Sequence, residues 1–255
     1  MSMRFPDLRV LLVPAAFAFA STQPLLASAD EQNVHQEFAA TPDVSVTIAN
    51  VEGRIQVRPS DGNRVDILAV KSSKYAEALA NISVDIAHSG DPAAAVSIKT
   101  RYHENGRHSG RVDYDLTVPR HARLKITNVS GNIVADGFAG DITASDISGD
   151  VSAEGTDGSL KIHTVNGSIS ASLTRMNGRR VASLHTVNGS VRLAVPRDSG
   201  AEIKARSISG RFQSDFPLNI RSQLVGLSVS DRIGDGSGSI DLESIDGSLS
   251  LRASR

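Results

Sequence analysis

A single twelve-residue pattern recurs through most of this chain and constrains its fold more than any other feature. Written with h for an apolar residue, the pattern is h-x-h-x-x-h-x-G-x-h-x-h, and a full copy is LKIHTVNGSISA at 160–171. The string HTVNGS occurs in two copies, at 163–168 and at 185–190. The glycines of the clearest copies are Gly53, Gly131, Gly149, Gly167, Gly189, Gly210 and Gly247.

The alternation of apolar residues on both sides of a two-residue break favours two strands joined by a tight bend. One such unit has a single apolar stripe that it cannot bury alone, but stacked units bury it together. Successive glycines from 131 to 210 stand 18, 18, 22 and 21 residues apart. The sequence therefore predicts a parallel β-solenoid, similar to a β-helix, with about 18–22 residues per turn. We expect the glycines to form a column at a bend where a Cβ would clash or φ must be positive.

The pattern also assigns faces to individual side chains. In the copy around Gly167, we expect Val165 and Ile169 to point into the interior, and Asn166 and Ser168 to point to solvent. Aromatic residues make up only 4% of the chain and Trp is absent. The predicted interior is therefore a narrow column of small aliphatic side chains.

Two features of the pattern allow other arrangements. Asn-Gly is the strongest two-residue hairpin signal, and within the repeats it occurs at 166–167, 177–178 and 188–189. A chain of β-hairpins is therefore the competing fold, although Ser-Gly, Glu-Gly and Asp-Gly in the same slot fit a required hairpin turn poorly. The 37-residue interval between Gly210 and Gly247 predicts a degenerate extra turn that contains Leu224, Leu227 and Val229.

Residues 30–120 read differently from the repeats at 121–255. DVSVTIANVEGRIQVRP opens with alternation, SSKYAEALA suits a short helix, and AAVSIKTRY and RVDYDLTVP suit two strands joined by the polar loop HENGRHSG. We expect a mostly antiparallel β section that caps the first turn, because a bare solenoid end exposes unpaired strand edges.

The first 29 residues have the pattern of a secretory signal peptide. Arg4 and Arg9 precede the apolar run LLVPAAFAFA, and Ala27-Ser28-Ala29 forms an A-x-A site. We expect cleavage before Asp30 and a mature protein that is exported to the periplasm or the cell surface, with no membrane span after cleavage. The absence of Cys excludes disulfides, thiolate metal sites and a cysteine nucleophile.

The segment VDYDLTVPRHARLKITNVSGNIVADGFAGDITASDISGDVSAEG resembles the core of a family of β-strand-repeat proteins named putative adhesins, domain of unknown function 4097. The similarity covers about residues 40 to 255, and its most specific part is the VDYDLTVP strand followed by NVSGNI-type repeats. The resemblance implies a β-solenoid exported to the cell envelope, with no established enzymatic activity. It supplies no catalytic or ligand residues.

The histidines of the two HTVNGS copies are the first candidates for chemistry. We expect His163-Thr164 and His185-Thr186 to form polar corners between the strands, one strand spacing apart. A stable metal site needs three or four ligands, and neither Cys nor a repeating carboxylate completes one. G-x-S-x-G and H-E-x-x-H are absent from the sequence. We therefore predict no catalytic residue, no metal ligand and no cofactor, and whether the histidine pair binds a metal stays open.

Charge is distributed unevenly along the repeats. Residues 129–160 contain six acids and no Lys or Arg, whereas 161–215 contain nine bases and three acids. The solenoid axis is therefore expected to run from acidic to basic, and the basic side is a candidate binding surface. Its arginines are Arg175, Arg179, Arg180, Arg192, Arg197, Arg206 and Arg211. The net charge of −1 gives no general attraction to nucleic acid.

Together these features predict an exported, non-enzymatic β-solenoid of the cell envelope, an adhesin or binding module that acts through its surface. The expected partner is an anionic envelope glycan or an envelope protein. Two alternatives remain: an enzyme that acts on a polysaccharide from a parallel β-helix, and a structural or stress-related envelope protein.

Export is directly testable. The signal sequence predicts that mass spectrometry of the protein recovered from the cell envelope finds an N-terminus near Asp30. An envelope protein whose sequence begins at Met1 would contradict cleavage.

Overall fold

The polypeptide is almost entirely β-structure. The computed structural model describes residues 30–103, 110–222 and 226–254, which form twenty strands and one short helix. In chain order these are β1 (Asp30–Ala49), β2 (Ile55–Ser60), β3 (Arg64–Ser73), α1 (Ala76–Ala80), β4 (Ile82–Ser89), β5 (Ala93–Tyr102), β6 (Arg111–Pro119), β7 (Arg123–Thr127), β8 (Ile133–Ala135), β9 (Ile142–Ser145), β10 (Val151–Thr156), β11 (Leu160–Asn166), β12 (Ile169–Leu173), β13 (Val181–Asn188), β14 (Val191–Pro196), β15 (Ala201–Ser209), β16 (Phe212–Ser214), β17 (Ile220–Ser222), β18 (Leu227–Ile233), β19 (Gly238–Asp246) and β20 (Leu249–Ser254). The predicted signal peptide lies outside the described residues.

Eight turns stack through parallel pairing in two facing sheets, which confirms the predicted solenoid. Each turn gives one strand to sheet B and the next strand to sheet A. From the N-terminal end of the stack the turns are β5/β6, β1/β2, β7/β8, β9/β10, β11/β12, β13/β14, β19/β20 and β15/β16. Inward-facing residues of both sheets form one continuous apolar core of mostly Val, Ile, Leu and Ala.

The order of turns in space differs from their order in the chain at the C-terminal end. After β13/β14 the chain skips one position and builds the last turn, β15/β16. It then returns, so that β19/β20 inserts between β13/β14 and β15/β16. The N-terminal end has the same device, because β5/β6 lies outside β1/β2. The strand pairs at the two ends of the chain, β1/β2 and β19/β20, are thus hydrogen-bonded on both sides instead of exposed at an edge.

Antiparallel strands cover both sheets at the N-terminal end of the stack and sheet B at the other end. At the N-terminal end β4 pairs with β5, β3 pairs with β6, and the first half of β1 pairs with β3, as predicted for the cap. At the other end β18 pairs with β15 and β17 with β18. The prediction of a degenerate turn at Leu227 and Val229 was therefore wrong, because these residues belong to the antiparallel strand β18; Leu224 lies outside the described residues.

The predicted helix is α1, a single short segment between β3 and β4. Leu79 is its buried residue and attaches it to the cap. Within the residues that the structure describes, no helix is long and apolar enough to cross a membrane.

The bend between the two sheets brings the glycines of successive turns into very close contact. A Cβ on Gly167 would lie 1.9 Å from the carbonyl oxygen of Gly149, and one on Gly189 would lie 2.1 Å from that of Gly167. Across all seven repeat glycines this distance to a backbone oxygen is 1.8–2.4 Å. Any side chain there would force the turns apart. At Gly131 a φ of +121° adds a second requirement for glycine.

A column of buried hydrogen-bond donors caps these glycine carbonyls. Thr164 Oγ1 donates to Gly149 O at 3.3 Å, and Thr186 Oγ1 donates to Gly167 O at 2.8 Å. The other donors to corner carbonyls are Asn50, Asn128, Ser207 and Ser244. A buried carbonyl without a donor would be destabilising. The polar side chain three residues before each glycine is therefore structural.

This column corrects the predicted faces at the bend. Thr164 was expected in a polar corner, but β11 continues through it and it is 0% exposed. Val165 was expected to be buried, yet it is only half-buried, whereas Ile169 is buried and Asn166 and Ser168 are exposed as predicted. The prediction was wrong because the strand needs a hydrogen-bond donor, not an apolar group, next to the glycine carbonyl.

In the seven turns from β1/β2 onward, the apolar residue two positions before the repeat glycine points outward. Together these residues form a row of aliphatic side chains on the surface. We call this row the aliphatic ridge; from the N-terminal end of the stack it consists of Val51, Val129, Ile147, Val165, Val187, Ile245 and Ile208. Five of the seven are 40–55% exposed and the other two are half-buried.

Asp146 is the exception in the donor column. It is 2% exposed, and neither carboxylate oxygen has a hydrogen-bond partner of good geometry in the described part of the chain. Asp146 occupies the position equivalent to Asn128 one turn later, so it faces the carbonyl of Gly131 as Asn128 faces the carbonyl of Gly53. A deprotonated carboxylate has no proton to donate to that carbonyl. Burial raises the pKa of Asp146; the amide groups of Ile147 and Ser148 partly oppose this and the Asp150 carboxylate adds to it.

Asp146→Asn is expected to stabilise the protein. The amide can donate to the glycine carbonyls as Asn128 does, so the free energy of unfolding at neutral pH should rise by about 1–3 kcal/mol. The gain should shrink as pH falls, because a carboxyl whose pKa is raised by folding contributes its stability below its unfolded pKa and loses it as pH rises. Urea unfolding at several pH values measures both effects.

Asp198→Asn is the matched control, because Asp198 is exposed and should change stability by less than about 0.5 kcal/mol. A neutral-pH loss of stability in Asp146→Asn would show that the buried carboxylate is satisfied as it stands.

Candidate binding surface

The structure distributes the seven predicted binding arginines over three places. Arg175, Arg179 and Arg180 lie in the loop between β12 and β13. Arg206 lies on the outer face of sheet B. Arg192 and Arg211 both lie on the outer face of sheet A, and Arg197 lies after β14 near Asp215. The seven residues therefore do not form one basic patch.

Two of the loop arginines have a structural role. Arg175 Nε donates to Asp157 Oδ1 at 2.8 Å, and Arg180 donates to the Asp157 carbonyl at 2.7 Å and to its carboxylate at 3.2 Å. The hydrogen bond from Arg175 is the largest cause of a lowered pKa of Asp157, opposed by partial burial. These contacts fasten the loop to the preceding turn, which leaves Arg179 as its exposed arginine without a described ion pair.

The insertion of β19 changes the charge pattern on sheet B. Arg206 pairs in register with Glu243, and Glu243 in turn pairs with His185. Lys204 similarly faces Asp241 across the ladder. The predicted run from an acidic to a basic end is thus interrupted on this sheet by the acids of the inserted turn.

Several acids of the 129–160 segment also serve the scaffold. Asp141 Oδ1 accepts from the backbone N–H of Ser159, and Asp150 Oδ1 accepts from that of Ser168, both at 2.7 Å. Asp136 Oδ1 accepts from the Glu154 amide at 2.7 Å. Each joins one turn to the next, so this acidic segment reflects turn-to-turn hydrogen bonding.

A groove of about 390 Å³ runs across the last four turns of sheet A. Its polar lining is Ser168, Ser170, Ser190, Arg192, Arg211, Gln213, Ser248, Ser250 and Arg252. No carboxylate or histidine is among these described residues. The three other described grooves each contain at least one carboxylate.

The strand register produces this composition. Ser170, Arg192, Ser250 and Gln213 lie side by side on β12, β14, β20 and β16. Arg192 belongs to the sixth turn and Arg211 to the eighth, and Arg211 is in register with Ser190, two residues before Arg192. Two strand spacings and this offset place the two residues about 12 Å apart. Serines of the inserted turn lie between them.

The groove contains both free and fixed cations. Arg252 donates to Asp215 at 3.0 Å and to Gln213 Oε1 at 2.8 Å. Arg192 and Arg211 are exposed and form no ion pair within the described residues. The Ser250 hydroxyl is buried and has no hydrogen-bond partner in that part of the chain. Two unneutralised guanidiniums above a floor of hydroxyls form a surface that suits an anion.

Sequence reasoning identified Arg192 and Arg211 but missed Arg252, Gln213 and the serines. The outward positions of the repeat could have indicated Ser170, Arg192 and Ser250 as neighbours. That inference needs the spatial order of the turns, because β20 and not β16 follows β14 in the stack.

The two HTVNGS histidines are neighbours on sheet B. His163 pairs in register with His185, whose Nε2 lies 3.3 Å from Ser183 Oγ and 3.7 Å from Asp241 Oδ2. Among the described residues no group of three or more His, Asp or Glu side chains is arranged to hold a metal ion. The geometry thus places the two imidazoles on neighbouring strands, with Ser183 and Asp241 beside His185, and the described side chains do not supply the three or four ligands of a stable metal site.

These features define a class: a parallel β-solenoid with short antiparallel caps and open outer faces. The chain belongs to the Toastrack DUF4097 family, whose model matches residues 43–252. This confirms the family resemblance seen in the sequence.

Solved structures share the fold. A putative cell adhesion protein from Clostridium sporogenes has a TM-score of 0.52 at 11% identity, over 89% of this chain and 100% of its own. A putative adhesin from Bacteroides fragilis gives 0.28 at 10% identity, over 86% and 97%. A putative lipid binding protein from Parabacteroides distasonis gives 0.31 at 8% identity, over 88% and 97%. The first likeness shows the fold, and the other two are too distant to carry an argument. No curated protein sequence matches the chain.

Proposed function

We propose that this protein is an exported, non-enzymatic binding module of the cell envelope that holds an anionic glycan in the sheet A groove. The observation that carries the proposal is the pair Arg192 and Arg211, exposed and unneutralised in a groove whose described lining has no carboxylate. The name of the Clostridium sporogenes relative, a putative cell adhesion protein, agrees with a binding role.

The groove is suited to a linear polymer. It is open along the stack, so a chain can lie across successive turns without being enclosed. Guanidiniums form bidentate hydrogen bonds to carboxylate or phosphate, and the serine hydroxyls can bond to neutral sugar groups between the charges. The spacing of about 12 Å between the two arginines suits charges on separate units of a chain rather than a single small anion.

The same lining argues against turnover of a glycan. Glycoside hydrolysis needs two carboxyl groups on either side of the scissile bond, and the described lining of the groove supplies none. Neither Arg192 nor Arg211 can act as a general base near neutral pH. The groove is therefore equipped to hold an anionic chain rather than cleave it.

Arg192→Glu should weaken binding of the mature protein to polygalacturonate by about tenfold or more, because it replaces an attraction with a repulsion. Binding by the wild type should fall as salt rises, since an exposed site is screened. Microscale thermophoresis at low and high salt, with neutral dextran as the comparison ligand, measures both effects.

Arg206→Glu is the matched control, because it makes the same charge change on sheet B. Its affinity should stay within about twofold of the wild type once net charge is accounted for. Equal losses in the two variants, or equal binding to dextran, would contradict recognition through the groove.

A further inference from the structure

The aliphatic ridge is an apolar surface that the groove does not use. Seven β-branched side chains, one per turn, stand in line from Val51 to Ile208. At about 4.8 Å per turn the ridge is about 29 Å long. Ile208 is 55% exposed and Ile147 is 48% exposed. Contiguous apolar strips of this kind are rare on monomers and mark contact surfaces.

On the sheet A side the residues next to the ridge are uncharged in the four central turns, and the next outward position is charged at both ends of the ridge and, in the fourth turn, at Asp150. On the sheet A side the central turns carry Ser130, Ser148, Asn166 and Asn188. The second turn carries Glu52 and Arg54, the seventh carries Asp246, and the eighth carries Arg211. These four charged residues are exposed and form no ion pair within the described part of the chain.

The sheet B side of the ridge is charged only near its C-terminal end. There Arg206 and Glu243 lie on the eighth and seventh turns, and at the opposite end the corresponding position is Ala49. The two flanks therefore differ, and this difference distinguishes the ways in which two ridges can pack.

We infer that the ridge binds a second copy of this chain, with the two ridges antiparallel about a two-fold axis at Val165. Val165 is the fourth of the seven residues, so the axis pairs it with itself and pairs Val51 with the partner's Ile208. Both ridges have the same spacing, as an isologous interface requires.

Charge favours the antiparallel arrangement over the parallel one. In the antiparallel dimer the sheet A flanks face each other end to end, with the second turn of one copy opposite the eighth turn of the other. Glu52 then lies beside the partner's Arg211, and Arg54 lies between that arginine and the partner's Asp246, so two opposite-charge contacts accompany one like-charge contact at each end. In a parallel dimer the sheet A flank faces the sheet B flank at the same turn. Asp246 would then meet Glu243, and Arg211 would meet Arg206, both like-charge contacts that oppose association.

The size of the surface indicates a reversible dimer. A ridge about 29 Å long with one outward column on each side covers roughly 600 Å² per copy, which is below the roughly 800 Å² of a standard specific interface. Dimerisation should therefore depend on protein concentration over the micromolar range.

Single cysteines test the arrangement cleanly, because the chain has no cysteine of its own. Under mild oxidation Val165→Cys should form a disulfide-linked dimer at least tenfold faster than Val51→Cys or Ile208→Cys alone. An equal mixture of Val51→Cys and Ile208→Cys should cross-link readily. Ser97→Cys, exposed on sheet B away from the ridge, is the control and should stay monomeric.

Sedimentation velocity at protein concentrations from roughly 1 to 500 µM, which span the micromolar range expected for the dimer, measures the association without cross-linking. Val165→Glu should lower dimer formation at least tenfold while its melting temperature stays near that of the wild type. Arg192→Glu should dimerise normally, so failure of glycan binding and failure of dimerisation are distinguishable.

A monomer throughout the concentration range, with no faster cross-linking at position 165, would overturn the inference. Equal cross-linking of the single variants at positions 51, 165 and 208 would overturn the antiparallel arrangement, since only a parallel or random contact brings every residue beside its own copy.

Discussion

The whole solenoid depends on the contact between the glycine of one turn and the glycine carbonyl of the turn before it. At the bend the backbones approach so closely that a Cβ would lie 1.8–2.4 Å from a backbone oxygen. The approach is needed because the parallel ladder continues round the corner: Gly167 N donates to Asn188 O at 3.0 Å, and Gly149 N to Asn166 O at 3.1 Å. Both sheets keep their register only if this corner keeps its spacing.

Several other features follow from that corner. Each glycine carbonyl needs a donor, which places Thr164 and Thr186 in the interior. The strand alternation then turns the next residue outward, so the valine or isoleucine that follows becomes part of the aliphatic ridge. Asp146 is the position in the described column that holds a carboxyl group instead of a hydroxyl or amide donor. The ridge and the buried carboxylate thus have one common origin.

The repeat was sufficient to predict the solenoid and the glycine column, and the separate pattern of residues 30–120 predicted the antiparallel cap and helix α1. It did not predict that β19/β20 inserts ahead of β15/β16, because every copy has nearly the same pattern and any two can stack. The site was predictable only in part for the same reason: Arg192 and Arg211 share a groove through the inserted turn. Arg175 and Arg180 were predicted as surface charge, but composition does not reveal that Asp157 binds both. Val165 was misplaced because apolar character alone does not distinguish an inward position from an outward one beside a hydrogen-bonded carbonyl.

The unfolding free energy of Gly167→Ala tests the central contact most directly. Gly62→Ala is the control, since Gly62 is exposed and a Cβ there would lie no closer than 3.4 Å to Ser60 Oγ. A Cβ 1.9 Å from the Gly149 carbonyl oxygen should cost about 3 kcal/mol or more. Gly62→Ala should change stability by less than about 0.5 kcal/mol. Equal, small effects of the two substitutions in urea titrations would contradict the account, because the turns would then not depend on glycine at the bend.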